Sequence, residues 1–518
     1  MTHKLLDALF VICVLASFAV SRSWLKRRNQ KYPLPPRPKE LPIIGNLLDM
    51  LSTREIHALE GLRSDYGPIV HLKVLGTNYI YLNDYQLIVD LFEKRGGMYS
   101  SRPHLVMNDL EGWSTWFVGA LPYGPELRNL RQKLHRFLQP SAIPSYFRPQ
   151  THSAHKLADR LIRKPEEFGE MVKHSVAELV MMITHGYKIE EADDPFVGIV
   201  EKGVEAFADA QGFYLVNDLP MLQYLPPWLP GMGFLKVAEE GYKVSMDMYK
   251  KPYEMFKKNF EEKGQGSSSL AAKLLESGKG KGDQSVDEDF VAKATSLIYA
   301  AGADTTVSAL LTFILAMTLY PEVQKRAQEE LDSVIGKNIL PTFDDLPKLK
   351  YVNAIRKECL RWQNVVTLSN PHTVEVDDEI NGYFIPANSV VFANIWSIFR
   401  DPSIYPEPER FIPERFIPSG NEEPPLDPGK IAFSVGRRHC PGKHFAESHT
   451  FIDMATLLAT CNIEKAINDH GMPIIPKVEY TRQFVRHPIP FKCTIWPRNN
   501  EVLSLLRQTI ETETLSND

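Results

Sequence analysis

The stretch FSVGRRHCPG, residues 433 to 442, sets Cys440, one of five cysteines in the chain, among Gly, Pro and Arg. A structural cysteine normally sits among apolar neighbours, whereas cations and permissive backbone suit a thiolate held near an anionic partner. The spacing of Phe433, Gly436, Arg438, Cys440 and Gly442 fits a loop that brings sulfur to an iron, with glycines admitting a flat cofactor to the backbone. Arg438 can pair with a carboxylate, and haem carries two. A helix starting just after Cys440 would aim N–H groups and its positive end at the sulfur. Cysteine ligation of haem iron favours O–O cleavage. Two blander readings stand beside this one: a buried cysteine in a basic loop, and a Cys-Pro haem-sensing motif that needs only the CP dipeptide. The C-x-x-C-H of covalent haem attachment is absent from the sequence.

Elements must position such a loop. The longest helical candidate, DFVAKATSLIYAAGADTTVSALLTFILAMTLYP, runs to Pro321, and Ser285 with Glu288 reads as a capping box at its start. It is apolar all round, as a fully buried helix or a membrane span is. Asp304, Thr305 and Thr306 at its centre are costly in lipid, so the helix is expected to be buried and central. PEVQKRAQEELDSVIG and LPKLKYVNAIRKECLRW read as two further helices. Residues 69 to 91 read as two short strands and a turn leading into a helix. EEKGQGSSSL and ESGKGKGDQSVDED read as exposed loops rather than a linker between independent halves. From residue 373 short strands and Pro-rich loops follow, before a last helix after Cys440.

The 518-residue chain, 43% hydrophobic and 24% charged, has a globular composition. A net charge of -5 shows no basic bias, which argues against a nucleic-acid partner. The cysteines form no C-x-x-C pair, so a disulfide framework or structural zinc is disfavoured and a reducing compartment fits. At the N-terminus LLDALFVICVLASFAV is apolar apart from Asp7 and Ser17. It lies at the short end of the about 17–25 residues that span a bilayer. A signal peptide carries its basic region before the apolar run. Here Arg22, Lys26, Arg27, Arg28 and Lys31 come after it, which favours an uncleaved anchor with the body in the cytosol. Pro33, Pro35, Pro36 and Pro38 then form a stiff, extended segment.

The sequence resembles the cytochrome P-450 family. FSVGRRHCPG matches F-x-x-G-x-R-x-C-x-G at every fixed position, and AGADTT (301–306), ECLR (358–361) and PERF (413–416) follow the family's order. The resemblance covers essentially the whole chain. It implies a mainly α fold with small β-sheets: a single cytochrome P-450 domain at 47–518, its long central helix over haem. A transmembrane anchor at 1–25 and a basic, proline-rich hinge at 26–46 would precede it. Cys440 is then the axial ligand of a haem b iron. Phe433, Gly436 and Gly442 shape the loop. Glu358, Arg361 and Arg415 form a buried triad, and the PERF at 408–411 is a decoy. Arg438, Arg131 with neighbouring Arg128, and His372 are expected at the propionates. Asp304 and Thr305 are expected to form a proton relay, with Gly302 and Ala303 leaving room for dioxygen. One position departs from the family: Leu127 stands where a tryptophan usually reaches a propionate.

The resemblance further implies a membrane-anchored haem-thiolate monooxygenase, spelled like fungal members of secondary metabolism or xenobiotic oxidation. It would insert one atom of O2 into an apolar small molecule at the endoplasmic reticulum. Because no flavin or iron–sulfur domain is visible, electrons would come from NADPH–cytochrome P-450 reductase, with cytochrome b5 as a second donor. Residues 107–124, the AFADAQGFYLVNDLPMLQYLPPWLPGMGF stretch and VVTLS (365–369) are the expected substrate walls. The alternatives are a haem-thiolate isomerase or dehydratase acting on a hydroperoxide, which usually lacks the acid–Thr pair, and a non-catalytic haem sensor.

Overall fold

Leu75 and Gly76, both at positive φ (50° and 100°), fold Ile69–Val74 (β1) back onto Thr77–Leu82 (β2) in a two-residue hairpin. This computed structural model describes residues 31–52, 56–190, 194–264, 266, 268–281, 286–420 and 423–515. The apolar run at 5–20 and the basic residues 22–28 lie outside that range. His372–Thr373 (β3), Asp378–Ile380 (β4), Tyr383–Ile385 (β5) and Val390–Ala393 (β6) follow far along the chain. β6 pairs parallel to β2 and antiparallel to β3, giving a four-stranded sheet ordered β1-β2-β6-β3. The β4–β5 hairpin and Cys461–Lys465 (β7) with Cys493–Pro497 (β8) complete the small sheets.

The proline segment is extended, as its prolines dictate, and lies on the body. Pro33 O accepts from Phe384 N at 2.8 Å, and Pro36 O from His71 N at 3.0 Å.

The longer helices are Pro125–Leu138 (α1), Phe147–Arg163 (α2), Phe168–His185 (α3), Pro195–Ala210 (α4), Phe234–Lys263 (α5), Leu270–Lys281 (α6) and Glu288–Leu319 (α7). Pro321–Val334 (α8), Lys350–Trp362 (α9), Lys443–Thr460 (α10) and Asn500–Leu515 (α11) follow. The apolar helix is α7, and it is the central core element. It packs against α3, α4, α5, α6, α9, α10 and β7, and its most apolar window is 78% buried.

Three expectations change here. The helix is capped by Asp287, whose side chain accepts from Phe290 N at 2.8 Å; Ser285 lies outside the described residues. ESGKGK (276–281) is helical, because Leu270, Ala271, Ala272 and Leu274 are buried and anchor α6, which continues through Gly278 and Gly280. The helix after Cys440 is not the last, since α11 packs on α2 through buried Val502 and Leu506.

Candidate active site

The Cys440 loop is built around a glycine. Gly436 has φ +67°, and a Cβ there would lie 1.9 Å from Phe92 O, so a side chain is excluded by both conformation and space. A short 3₁₀ turn, Gly436–Arg438, follows. Cys440 N then donates to Phe433 O at 2.7 Å, and α10 starts at Lys443 with Gly442 as its cap. Phe433 therefore acts through its carbonyl, while its ring lies under the Lys443 ammonium. Burial pushes the Cys440 thiol up, whereas the Gly442 N–H, the Arg131 charge and the Lys443 N–H pull it back. Helix start and cation thus converge on one sulfur.

Cations gather behind this loop. Arg438 is buried and donates to three carbonyls: Nε to Ser100 O at 2.7 Å, Nη1 to Val118 O at 3.3 Å and Nη2 to Leu121 O at 2.8 Å. A guanidinium has five N–H donors, so two remain. Arg131 Nη2 donates to His439 O at 2.9 Å. His372 sits on β3, stacked on Phe92 with ring centroids 3.8 Å apart, its Nδ1 2.6 Å from Tyr99 O. Its Nε2 is buried without a partner among the described residues.

Sequence reading missed a fourth member, Arg102. Its Nη1 donates to Asn370 O and Pro371 O, both at 2.8 Å, while its Nε is buried and unpartnered among the described residues. Burial lowers the Arg102 pKa far below the ordinary arginine value, and the charges of Arg438 and Arg131 lower it further. Burial followed by Arg102 and Arg438 does the same to His372, against the pull of Tyr99 O. No motif carries Arg102; the signal was an arginine in the SSRPH turn just before the expected wall at 107–124.

Arg128 does not join this group. It is exposed, and its guanidinium lies over the Tyr123 ring at 5.6 Å, because position 128 is on the solvent face of α1. Leu127 is 1% exposed, enclosed by protein atoms. An indole there overpacks α1 at a cost of about 1–3 kcal/mol, against roughly 0.5–1.5 kcal/mol for a restored hydrogen bond.

A group with two carboxylates and a thiolate-seeking iron fits these residues. Four buried or half-buried cationic or imidazole groups converge without an acidic partner among the described residues, and two of their nitrogens have no partner there. Haem would be held by Cys440 at the iron and by Arg102, Arg131, Arg438 and His372 at the propionates.

On α7, Ala301 is exposed in mid-helix, and Gly302 and Thr305 are half-buried, so this face opens onto space within the core. Ala303 is buried on another face, so Ala301 and Gly302, rather than Gly302 and Ala303, line the opening. Thr305 Oγ1 donates to Ala301 O at 2.8 Å, which leaves its lone pairs to accept. Asp304 Oδ1 lies 3.0 Å from His487 Nε2, and Asp304 Oδ2 is buried without a partner among the described residues. His487 carried no motif in the sequence.

The triad is present and dry. Arg361 Nε and Nη2 donate to Glu358 Oε2 and Oε1 at 2.7 and 2.8 Å, and Arg415 Nε to Oε1 at 3.3 Å. Glu358 and Arg361 are fully buried. Arg361 also binds the carbonyls of Phe399, Pro408 and Arg410. Arg410 of the earlier PERF pairs only locally, with Glu407.

A cavity of about 1500 Å³ opens between strands β2 and β6, the 205–217 roof and the 478–489 loop. Thr367, Leu368 and Ser369 of the VVTLS stretch line it with Phe213, Phe392 and Phe484, as do the charged Glu111, Lys202, Glu205 and Asp209, while Cys440 and the open face of α7 are not on its wall. The outer roof exposes Met221 (72%), Tyr224 (82%) and Trp228 (79%).

Residues 35–495 match the profile of the family described as Cytochrome P450. The chain is 37% identical over 499 residues to cytochrome P450 monooxygenase 208 of Postia placenta, covering 95% of this chain and 96% of that one. It is 36% identical over 490 residues to the monooxygenase claR of Ampulloclitocybe clavipes (94% and 90%). Against the tryptamine 4-monooxygenase of Psilocybe cyanescens it is 37% identical over 486 residues (92% and 95%). A solved zebra fish cytochrome P450 with abiraterone superposes at TM-score 0.68 and 21% identity, covering 86% of this chain and all of that one.

Proposed function

Because the chain belongs to the cytochrome P450 family and is a haem-thiolate monooxygenase of fungal type, we propose that it oxidises an apolar small molecule with one atom of O2 in secondary metabolism or xenobiotic oxidation. Haem, when bound through Cys440, supplies oxygen activation. The chain's own contribution is position and protons. Asp304 brings protons inward through its unpartnered, buried Oδ2, and Thr305 holds the water that receives them, since its hydroxyl proton is already committed to Ala301 O. That juxtaposition, on the one face of α7 that opens within the core, carries the reading. It also disfavours the isomerase alternative, whose members usually lack the acid–Thr pair.

Phe213, Phe392 and Phe484 give the 1500 Å³ cavity an aromatic part beside its charged residues, which suits a small molecule with an apolar portion, and the fungal monooxygenase relatives fit small-molecule oxidation. Electrons come from NADPH through a separate reductase, with cytochrome b5 as a second donor. The apolar run at 5–20 anchors the protein in the endoplasmic reticulum membrane, and exposed Met221, Tyr224 and Trp228 give the roof a lipid-facing patch.

Thr305→Ala tests the carrying observation. It should keep haem and accept electrons from the reductase, yet divert NADPH into hydrogen peroxide, while Asp304→Asn slows turnover. The assay follows NADPH consumed, peroxide released and product formed together. Wild-type coupling in Thr305→Ala would reduce its hydroxyl to a helix-packing feature.

A further inference from the structure

We infer that His487 is the positioning residue of Asp304, holding one carboxylate oxygen so that the acid keeps a single orientation beside Thr305. The inference rests on the proton-carrying reading of Asp304 given above.

An aspartate on a helix has two free side-chain torsions, and an ionised one in a half-buried site takes whichever donor it finds. Here the donor is fixed. His487 Nε2 is 3.0 Å from Asp304 Oδ1, and both side chains are about one-fifth exposed, at 18% and 20%. With Asp304 ionised, Nε2 carries the proton, so the ring donates to the carboxylate whether neutral or cationic.

The ring in turn is held by its loop. His487 N donates to Thr481 Oγ1 at 3.0 Å, and Thr481 N donates to His487 O at 2.8 Å, closing 481–487 into a clamp. One residue earlier, Arg486 N donates to Val365 O at 2.9 Å, and its guanidinium lies over Trp396 and Tyr480. Ser308 Oγ donates to Arg486 O. Asp304 and Ser308 are four residues apart on one face of α7, so two consecutive loop residues are docked on two stacked helix positions. A one-residue slip of the loop would break both contacts at once. This is the arrangement by which an outer residue fixes the orientation of an inner acid.

The test uses full-length holoprotein with three variants: His487→Phe, which fills the space without a donor; His487→Gln, which restores an N–H at the same reach; and Asp304→Asn. The C–O stretching band of the reduced, carbon-monoxide-bound protein reports the polarity of the open face. His487→Phe should move this band in the direction that Asp304→Asn does, and His487→Gln should return it to the wild-type position. With reductase, NADPH and dioxygen as the only probe, peroxide release should rise about tenfold in His487→Phe and fall back in His487→Gln. A wild-type band in His487→Phe, where Asp304→Asn shifts it, overturns the inference and leaves the role of Asp304 standing. An unmoved band in Asp304→Asn defeats the underlying reading of Asp304 instead. Should His487→Phe fail to hold haem, the imidazole nitrogen signals of His487 in the same diamagnetic carbon monoxide form decide. Nε2 must respond to Asp304→Asn, and an unchanged signal refutes the pairing.

Discussion

The charges of Arg102, Arg131 and Arg438 repel one another, and burial disfavours the charged forms of all three and of His372. Such a group would be tolerable only with an anion among its members, so propionates held there would matter to this protein's stability as well as to its chemistry. A hydrogen bond to a charged partner is worth about 1.5–3 kcal/mol. Arg102→Gln should therefore release haem to an acceptor globin roughly tenfold to a hundredfold faster, while exposed Arg128→Gln should leave the rate unchanged. Equal rates in the two variants would remove Arg102 from the site. Cys440→Ala should abolish the thiolate Soret band of the carbon monoxide form, and an unchanged spectrum would place the ligand elsewhere. Cys440 and Arg438 were legible in the sequence because a motif fixes their spacing. Arg102 and His487 were not, since each meets its partners only through chain segments that are distant in sequence.

At the scale of elements, the Glu358–Arg361–Arg415 triad couples α9 to the loop that leads into the Cys440 segment. Glu358 answers two arginines and the Ile412 N–H, which donates at 2.8 Å. Removing a buried partner leaves an uncompensated charge and costs about 3–5 kcal/mol. Glu358→Ala should thus lower the yield of folded holoprotein sharply, whereas Arg410→Ala in the decoy PERF should behave as wild type in a thermal melt monitored at the Soret band. The sequence reading named this triad from the motif; spacing alone predicts a surface pair, as i, i+3 charges usually are. α7 shows the reverse. Its apolar composition was enough to place it at the core, yet not to say which face stays open, because a helix apolar all round carries no amphipathic mark. That face had to come from the packing of α3 and α10 around it.

Across the whole molecule, the order of helices and small sheets followed the family marks, and the error in the last helix fell where those marks end. The family match stops at residue 495, and α11 lies beyond it. Its sequence, NEVLSLLRQTIETETL, is polar enough to read as a tail, but Val502 and Leu506 are buried and Arg507 Nε donates to Asp159 Oδ1 at 2.9 Å. Glu513 completes the attachment with His152 Nδ1 at 2.9 Å and His155 Nδ1 at 3.2 Å on α2. Burial alone would push the Glu513 carboxyl up, but the hydrogen bonds from His152 and His155 and their charges outweigh it and bring it from 4.5 down to about 2. The sign follows: a carboxylate with a depressed folded pKa contributes stability above its unfolded value and loses it as pH falls through the folded one. The Glu513 contribution to holding α11 is therefore lost as pH falls from about 4.5 toward 2, and its charge–charge part is present only where an imidazole partner is protonated. Glu513→Gln should speed amide exchange in 500–515 at pH 5 with the Soret spectrum intact. The difference from wild type should shrink as pH drops below 4.5. Equal exchange at pH 5 would show that Val502, Leu506 and Arg507 hold the helix without it, and a difference that stays constant down to pH 3 would mean that Glu513 acts through packing rather than charge.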